Sequence, residues 1–126
     1  GLSGDDLTVH DVKIDPATQQ NTDATKVVWR ATAGGIQVSA DGGENWAEKN
    51  PGTVTNQWSD GTAPTVADLE FKALEFAGDT LFVGATWLNG SDYRSWVFYT
   101  ENVFHVRSSG TAATVTWTEL ETNWEA

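Results

Sequence analysis

Cysteine and methionine are both missing from this chain, proline occurs only 3 times, and 7 basic side chains stand against 18 acidic ones. Each shortage closes off a class of protein. Without Cys there is no disulfide scaffold and no zinc or iron–sulfur site built on thiolates. No apolar run approaches the roughly 20 residues that span a bilayer, and no basic segment leads into an apolar one as in a secretory leader. The formal charge of -11 sets up a field that repels phosphate, so neither nucleic acid nor membrane insertion is expected. With no initiator Met, the chain reads as a processed product or a part of a longer polypeptide. The lack of Cys suits an extracellular, cell-surface or periplasmic protein, although it fits a cytosolic one as well.

What the chain does contain favours strands. Hydrophobic residues make up 39% and aromatics 11%, with 7 Trp, enough apolar surface to offset chain entropy. Thr, Val and the aromatics suit pleated strands, and no segment keeps helical apolar spacing for three turns. Strands are predicted over 9–14, ending at Asp15-Pro16, then over 26–32, 36–39 and 45–49, with turns at Gly34-Gly35 and Asp41-Gly42-Gly43. The stretch 52–65 reads as a long loop. Beyond it a strand over 69–76 changes phase near Ala73-Leu74, which predicts a bulge. Strands follow over 80–86 and 96–100, separated by a polar loop over 88–94. Further strands are expected over 103–107 and 114–120.

The halves align weakly in order: 27–32 with 81–86, 36–41 with 97–102, and 45–48 with 116–119. The expected organisation is a first unit over 1–52, a loop over 53–65 and a second unit over 66–126. Each unit would carry four antiparallel strands, and because 103–107 is itself a good strand the pairing in the second could slip by one.

Ser39-Ala40-Asp41-Gly42-Gly43-Glu44-Asn45-Trp46 resembles the Asp-box, the Ser-x-Asp-x-Gly-x-Thr-Trp signature of BNR-type β-propeller blades, with Asn45 where Thr is usual. Its physics is local. Ser39 or Asp41 can accept from the free amides of a tight turn, Gly42 or Gly43 can take positive φ, and Trp46 can pack under the turn. Ile14-Asp15-Pro16, Ala31-Thr32, Gly34-Gly35 and Ile36 precede it in the order such blades show. The second unit keeps Thr100, Asn102 and Trp117 and lacks the Asp and Gly, so its box is degenerate. The resemblance implies an all-β fold of two propeller-type blades, the alternative being a β-sandwich that carries an Asp-box hairpin. Two blades are too few to close a ring of about four to eight, so it further implies a homo-oligomer or the remainder of a longer chain.

In that family the box is structural and lies away from the ligand face. No catalytic residue is identified. The Arg triad and Tyr–Glu pair of the related sialidases have no match around Arg30, Arg94 and Arg107. Asp60, Asp68, Asp79 and Asp92 could serve a glycoside hydrolase, but solvated turn carboxylates explain them as well. In propeller geometry, the loops bearing Trp58 and Trp87, Tyr93, Arg94 and Trp96 would share the ligand face. Rings beside planar polar groups suit sugar recognition. His10 and His105 alternate within strands and read as surface residues. Asp41, Glu44, Asp5 and Asp6 offer oxygens to Ca²⁺ without the ligand count of a site, so no metal or other cofactor is expected. The expected function is a non-catalytic binding or scaffold module whose partner is a glycan or a protein surface. A fragment of an Asp-box glycoside hydrolase and a structural β-subunit of a surface assembly or virion are the alternatives.

Overall fold

A computed structural model describes residues 8–52, 54 and 64–120. Its first sheet is an antiparallel meander of β1 (Val9–Ile14), β2 (Val28–Thr32), β3 (Gly35–Ser39) and β4 (Ala47–Glu48). A second meander follows, of β5 (Glu70–Ala77), β6 (Thr80–Asn89), β7 (Asp92–Thr100) and β8 (Thr118–Glu119). The expected mostly-β chain with two four-stranded antiparallel sheets is therefore observed. The predicted bulge is present too, with the β5–β6 register shifting between Phe71 and Ala73.

Two expectations are corrected. Residues 103–107 are not a strand but the start of a helix, α1 (Val103–Ser109). Val103 and Val106, three apart, are both buried, and Phe104 and His105 point to solvent; that is helical spacing over one turn, too short to stand out as a period. The stretch expected as a loop over 88–94 is paired strand. Asn89 lies opposite Asp92 across Gly90-Ser91, and Gly90 takes a φ of 65°. A two-residue turn with positive φ keeps the twist of a long hairpin.

Both sheets feed one core. Trp29, Ala31, Ile36 and Val38 enter it from the first, and Leu74, Leu81, Val83, Trp96 and Phe98 from the second. Val103 and Val106 of α1 join them. Burial on this scale contributes about 1.5–3 kcal/mol for each large side chain. Strand β1 departs from the pattern: Val12 and Ile14 are 49% and 38% exposed, while Asp11 and Lys13 are only partly exposed.

The ladders of the two sheets repeat each other. Val28 lies opposite Ile14 and Ser39, as Leu81 lies opposite Phe76 and Thr100. Gln37 pairs with Glu48, as Phe98 pairs with Glu119. The register shift between Phe71 and Ala73 has a counterpart between Val9 and Asp11. Corresponding positions nevertheless use opposite faces. Buried Trp29, Ile36 and Val38 correspond to Phe82, Val97 and Tyr99, whose parity turns them away from the core. Buried Leu74, Val83 and Phe98 correspond to Val12, Arg30 and Gln37 on the outer face of the first sheet. The back of one sheet thus packs on the front of the next, a head-to-tail relation rather than a two-fold one.

Polar ties close the stack. The amide of Leu74, beside the bulge, donates to Asp11 Oδ2 at 2.8 Å. Lys49 Nζ donates to the Ala113 carbonyl at 2.8 Å, and Trp117 Nε1 donates to the Lys49 carbonyl at 2.7 Å. The Trp117 ring meets Trp29 edge to face, with centroids 6.3 Å apart. Arg107 on α1 forks onto Asp15, Nε to Oδ2 at 2.6 Å and an Nη to Oδ1 at 2.8 Å. Asp15, just before Pro16, has 0% exposure.

Candidate functional site

The turn joining β3 to β4 is densely hydrogen-bonded. Ser39 Oγ donates to Asp41 Oδ1 at 2.6 Å and accepts the Gly43 amide at 2.8 Å. Asp41 Oδ1 also accepts the amides of Glu44 and Asn45, at 3.1 and 2.9 Å, while Oδ2 accepts Asn45 Nδ2 at 2.7 Å. Trp46 Nε1 closes the turn on the Gly43 carbonyl at 2.9 Å. Asn45 thus adds a side-chain donor to Asp41. At Gly42 the φ is 75°, and an added Cβ would lie 2.0 Å from the Asp23 carbonyl oxygen, so only Gly fits. Donors from the turn itself engage both oxygens of Asp41, which is a staple rather than an open cation site. Among the described residues, no group of three or more metal-ligating side chains comes together.

The counterpart turn of the second sheet keeps part of this pattern. The Asn102 amide donates to Thr100 Oγ1 at 3.1 Å, as the Asp41 amide donates to Ser39 Oγ at 3.2 Å. Asn102 Oδ1 accepts the Thr116 amide at 3.1 Å and the Thr116 hydroxyl. The loop between these residues carries α1.

The turn has a titration signature. The Ser39 hydroxyl, then the Asn45 amide and side chain, hold the Asp41 carboxyl down at about 2 from its usual 3.8. Asp11 is lowered too: burial pushes it up, but the Leu74 amide and Lys13 outweigh that. A carboxyl lower in the folded than in the unfolded chain stabilises the fold above its unfolded value, and that contribution is lost as pH falls to the folded one. The melting temperature should therefore drop between about pH 4 and pH 2, and less steeply in Asp41→Asn. Thermal melts followed by circular dichroism check this. Ser39→Ala should cost about 1 kcal/mol, because it removes the acceptor of the part-buried Gly43 amide, and Asp41→Ala should lower the melting temperature, both without changing any ligand affinity.

Trp46 carries a further contact that the sequence did not suggest. The Arg30 guanidinium lies 3.9 Å from the centroid of its ring and donates from Nε to Gln37 Oε1 at 2.7 Å. No carboxylate stands within ion-pair reach of Arg30 among the described residues.

The aromatic candidates divide. Trp87, Arg94 and Trp96 share the core-side parity of the hairpin, whereas Tyr93, 70% exposed, sits opposite Leu88 on the other side. Trp96 is 1% exposed and backs Trp87, their centroids 6.3 Å apart at 46°. Trp58, Asp60, Asp5 and Asp6 lie outside the described residues. Asp68 accepts the amide and hydroxyl of Thr65 as a cap, and Asp79 accepts from Arg107 at 3.0 Å. His10 and His105 are exposed. No described helix is long and apolar enough to cross a membrane. The chain matches no family model, no curated protein and no solved structure.

Proposed function

We propose that this chain is a non-catalytic binding and scaffold module of two Asp-box propeller-type blades, working at an extracellular or cell surface, with the end of the β6–β7 hairpin as its carbohydrate contact. The observation that carries the reading is the repeated ladder with head-to-tail stacking. A shared register, a bulge at the same place and a bonded turn after the third strand are what two copies of one blade would have. The hairpin end supplies the rest: a half-buried Trp87 held from behind by Trp96, with Arg94 opposite it in the ladder. An indole fixed in this way can stack on a sugar ring beside a planar donor.

A glycan array of the whole chain tests this. Binding to at least one polysaccharide class is expected, falling about tenfold or more in Trp87→Ala, the loss of roughly 1.4 kcal/mol of contact. No binding to any glycan would remove the carbohydrate reading. Release of reducing sugar from a bound glycan would instead move the chain to the hydrolase alternative.

A further inference from the structure

We infer that the outer face of the first sheet is a docking surface for the outer face of the second sheet of another copy of this chain, joined head to tail. The inference rests on the blade reading above and is independent of sugar binding. Its basis is the ladder correspondence. Inside the chain, the face bearing Trp29, Ile36 and Val38 packs on the face bearing Leu74, Val83 and Phe98. Each of those faces has a counterpart turned away from the core, on which Gln37 is buried and bonded to Arg30 while Arg30, Phe82, Val97 and Tyr99 remain partly exposed. Phe82, Val97 and Tyr99 stand on the second sheet where Trp29, Ile36 and Val38 stand on the first; Val12, Arg30 and Gln37 stand on the first where Leu74, Val83 and Phe98 stand on the second. Setting the outer face of one copy on that of the next repeats the interface already made within the chain.

The chemistry of the two outer faces fits that partner. Val12 and Ile14, large apolar side chains on an edge strand, are exposed beside half-buried Val28. On the other face Phe82 and Tyr99 are half-buried, with ring centroids 5.8 Å apart. Charge agrees as well. Arg30 is held over Trp46 with no carboxylate in ion-pair reach among the described residues. Glu75, exposed and opposite Phe82 in the ladder, supplies a carboxylate on the strand that would lie against β1. A stacked, planar guanidinium is organised in advance for such an acceptor. Trp117 meets Trp29 within the chain, so Trp46 would meet Phe82 between copies.

Head-to-tail contact has a diagnostic that two-fold contact lacks. Val12→Lys blocks one face and Phe82→Lys the other. Light scattering after size exclusion should show the unaltered chain above its 13.6 kDa in a concentration-dependent way, and each variant alone as a monomer. An equimolar mixture should give a dimer that stops there, because each partner retains the face the other lacks. Glu75→Arg takes the place of Phe82→Lys if the latter melts early by circular dichroism. An unaltered chain that stays monomeric up to millimolar concentration, variants that still assemble, or a mixture that stays monomeric would each overturn the inference. Glycan binding by such a monomer would leave the module reading standing and remove only the docking.

Discussion

Arg107→Ala should destabilise the fold by about 3 kcal/mol or more, because it leaves the Asp15 carboxylate buried without its counter-charge. Asp15 has 0% exposure, and the Arg107 side chain keeps 22%. What the variant loses is a desolvated, two-pronged pair rather than a surface contact. Arg107 also touches Asp79, but that carboxylate is 74% exposed, and Asp79→Ala should cost under about 1 kcal/mol. Urea denaturation separates the two: Arg107→Ala lowers the midpoint strongly at unchanged slope, while Asp79→Ala barely moves it. Arg107→Lys should recover only part of the loss, since a point charge cannot occupy both Asp15 oxygens. Equal, small effects of Arg107→Ala and Asp79→Ala would show that Asp15 does not depend on the guanidinium.

Trp117→Ala should cost about 3 kcal/mol, by removing an aromatic that fills the space beside Trp29 and stranding the Lys49 carbonyl. Trp117→Phe keeps most of the ring, loses the hydrogen bond, and should cost about 1 kcal/mol. Trp46 holds the corresponding place after the third strand of the first sheet, where it packs on Arg30 and its own turn. Trp46→Ala should therefore cost less than Trp117→Ala in the same denaturation series. The reverse order would mean that the turn, and not the junction of the sheets, is the more strained place to lose an indole.

The strands, the bulge and the bonds of the Asp41 turn were legible because each is written locally. Alternation, a phase change and a Ser-x-Asp-Gly-Gly run need no knowledge of the rest of the chain. The relation between the halves was only partly legible, for a physical reason. Corresponding strands expose opposite parities to the core, so an alignment that follows hydrophobicity sets Trp29 against Val83, whereas the ladder sets Trp29 against Phe82. The pattern then slips by one residue, which in a strand exchanges the faces. Helix α1 escaped because seven residues show only one repeat of the buried Val103–Val106 spacing. In sequence Asp15 marks only the end of a strand. Nothing in its neighbours announces a partner on residue 107, since that contact exists only once the sheets have met. Nor does the sequence mark Arg30 as a partner of Trp46, because their stacking depends on how the turn folds the indole back.

The ties between the sheets differ from the ladders in how much chain they enclose. Each ladder joins neighbours in sequence, whereas Asp11 reaches Leu74 across 63 residues, Lys49 reaches Trp117 across 68, and Asp15 reaches Arg107 across 92. Closing loops of that length has an entropic cost that contacts within a hairpin avoid. The hairpins and their apolar faces can therefore form and meet first, and the polar ties can set only afterwards, on a stack already in place. Contacts made after the barrier govern how fast a protein comes apart rather than how fast it assembles. The losses at Arg107 and Trp117 should accordingly fall on the unfolding limb of a chevron, so the far-reaching ties act mainly to set the lifetime of the folded chain.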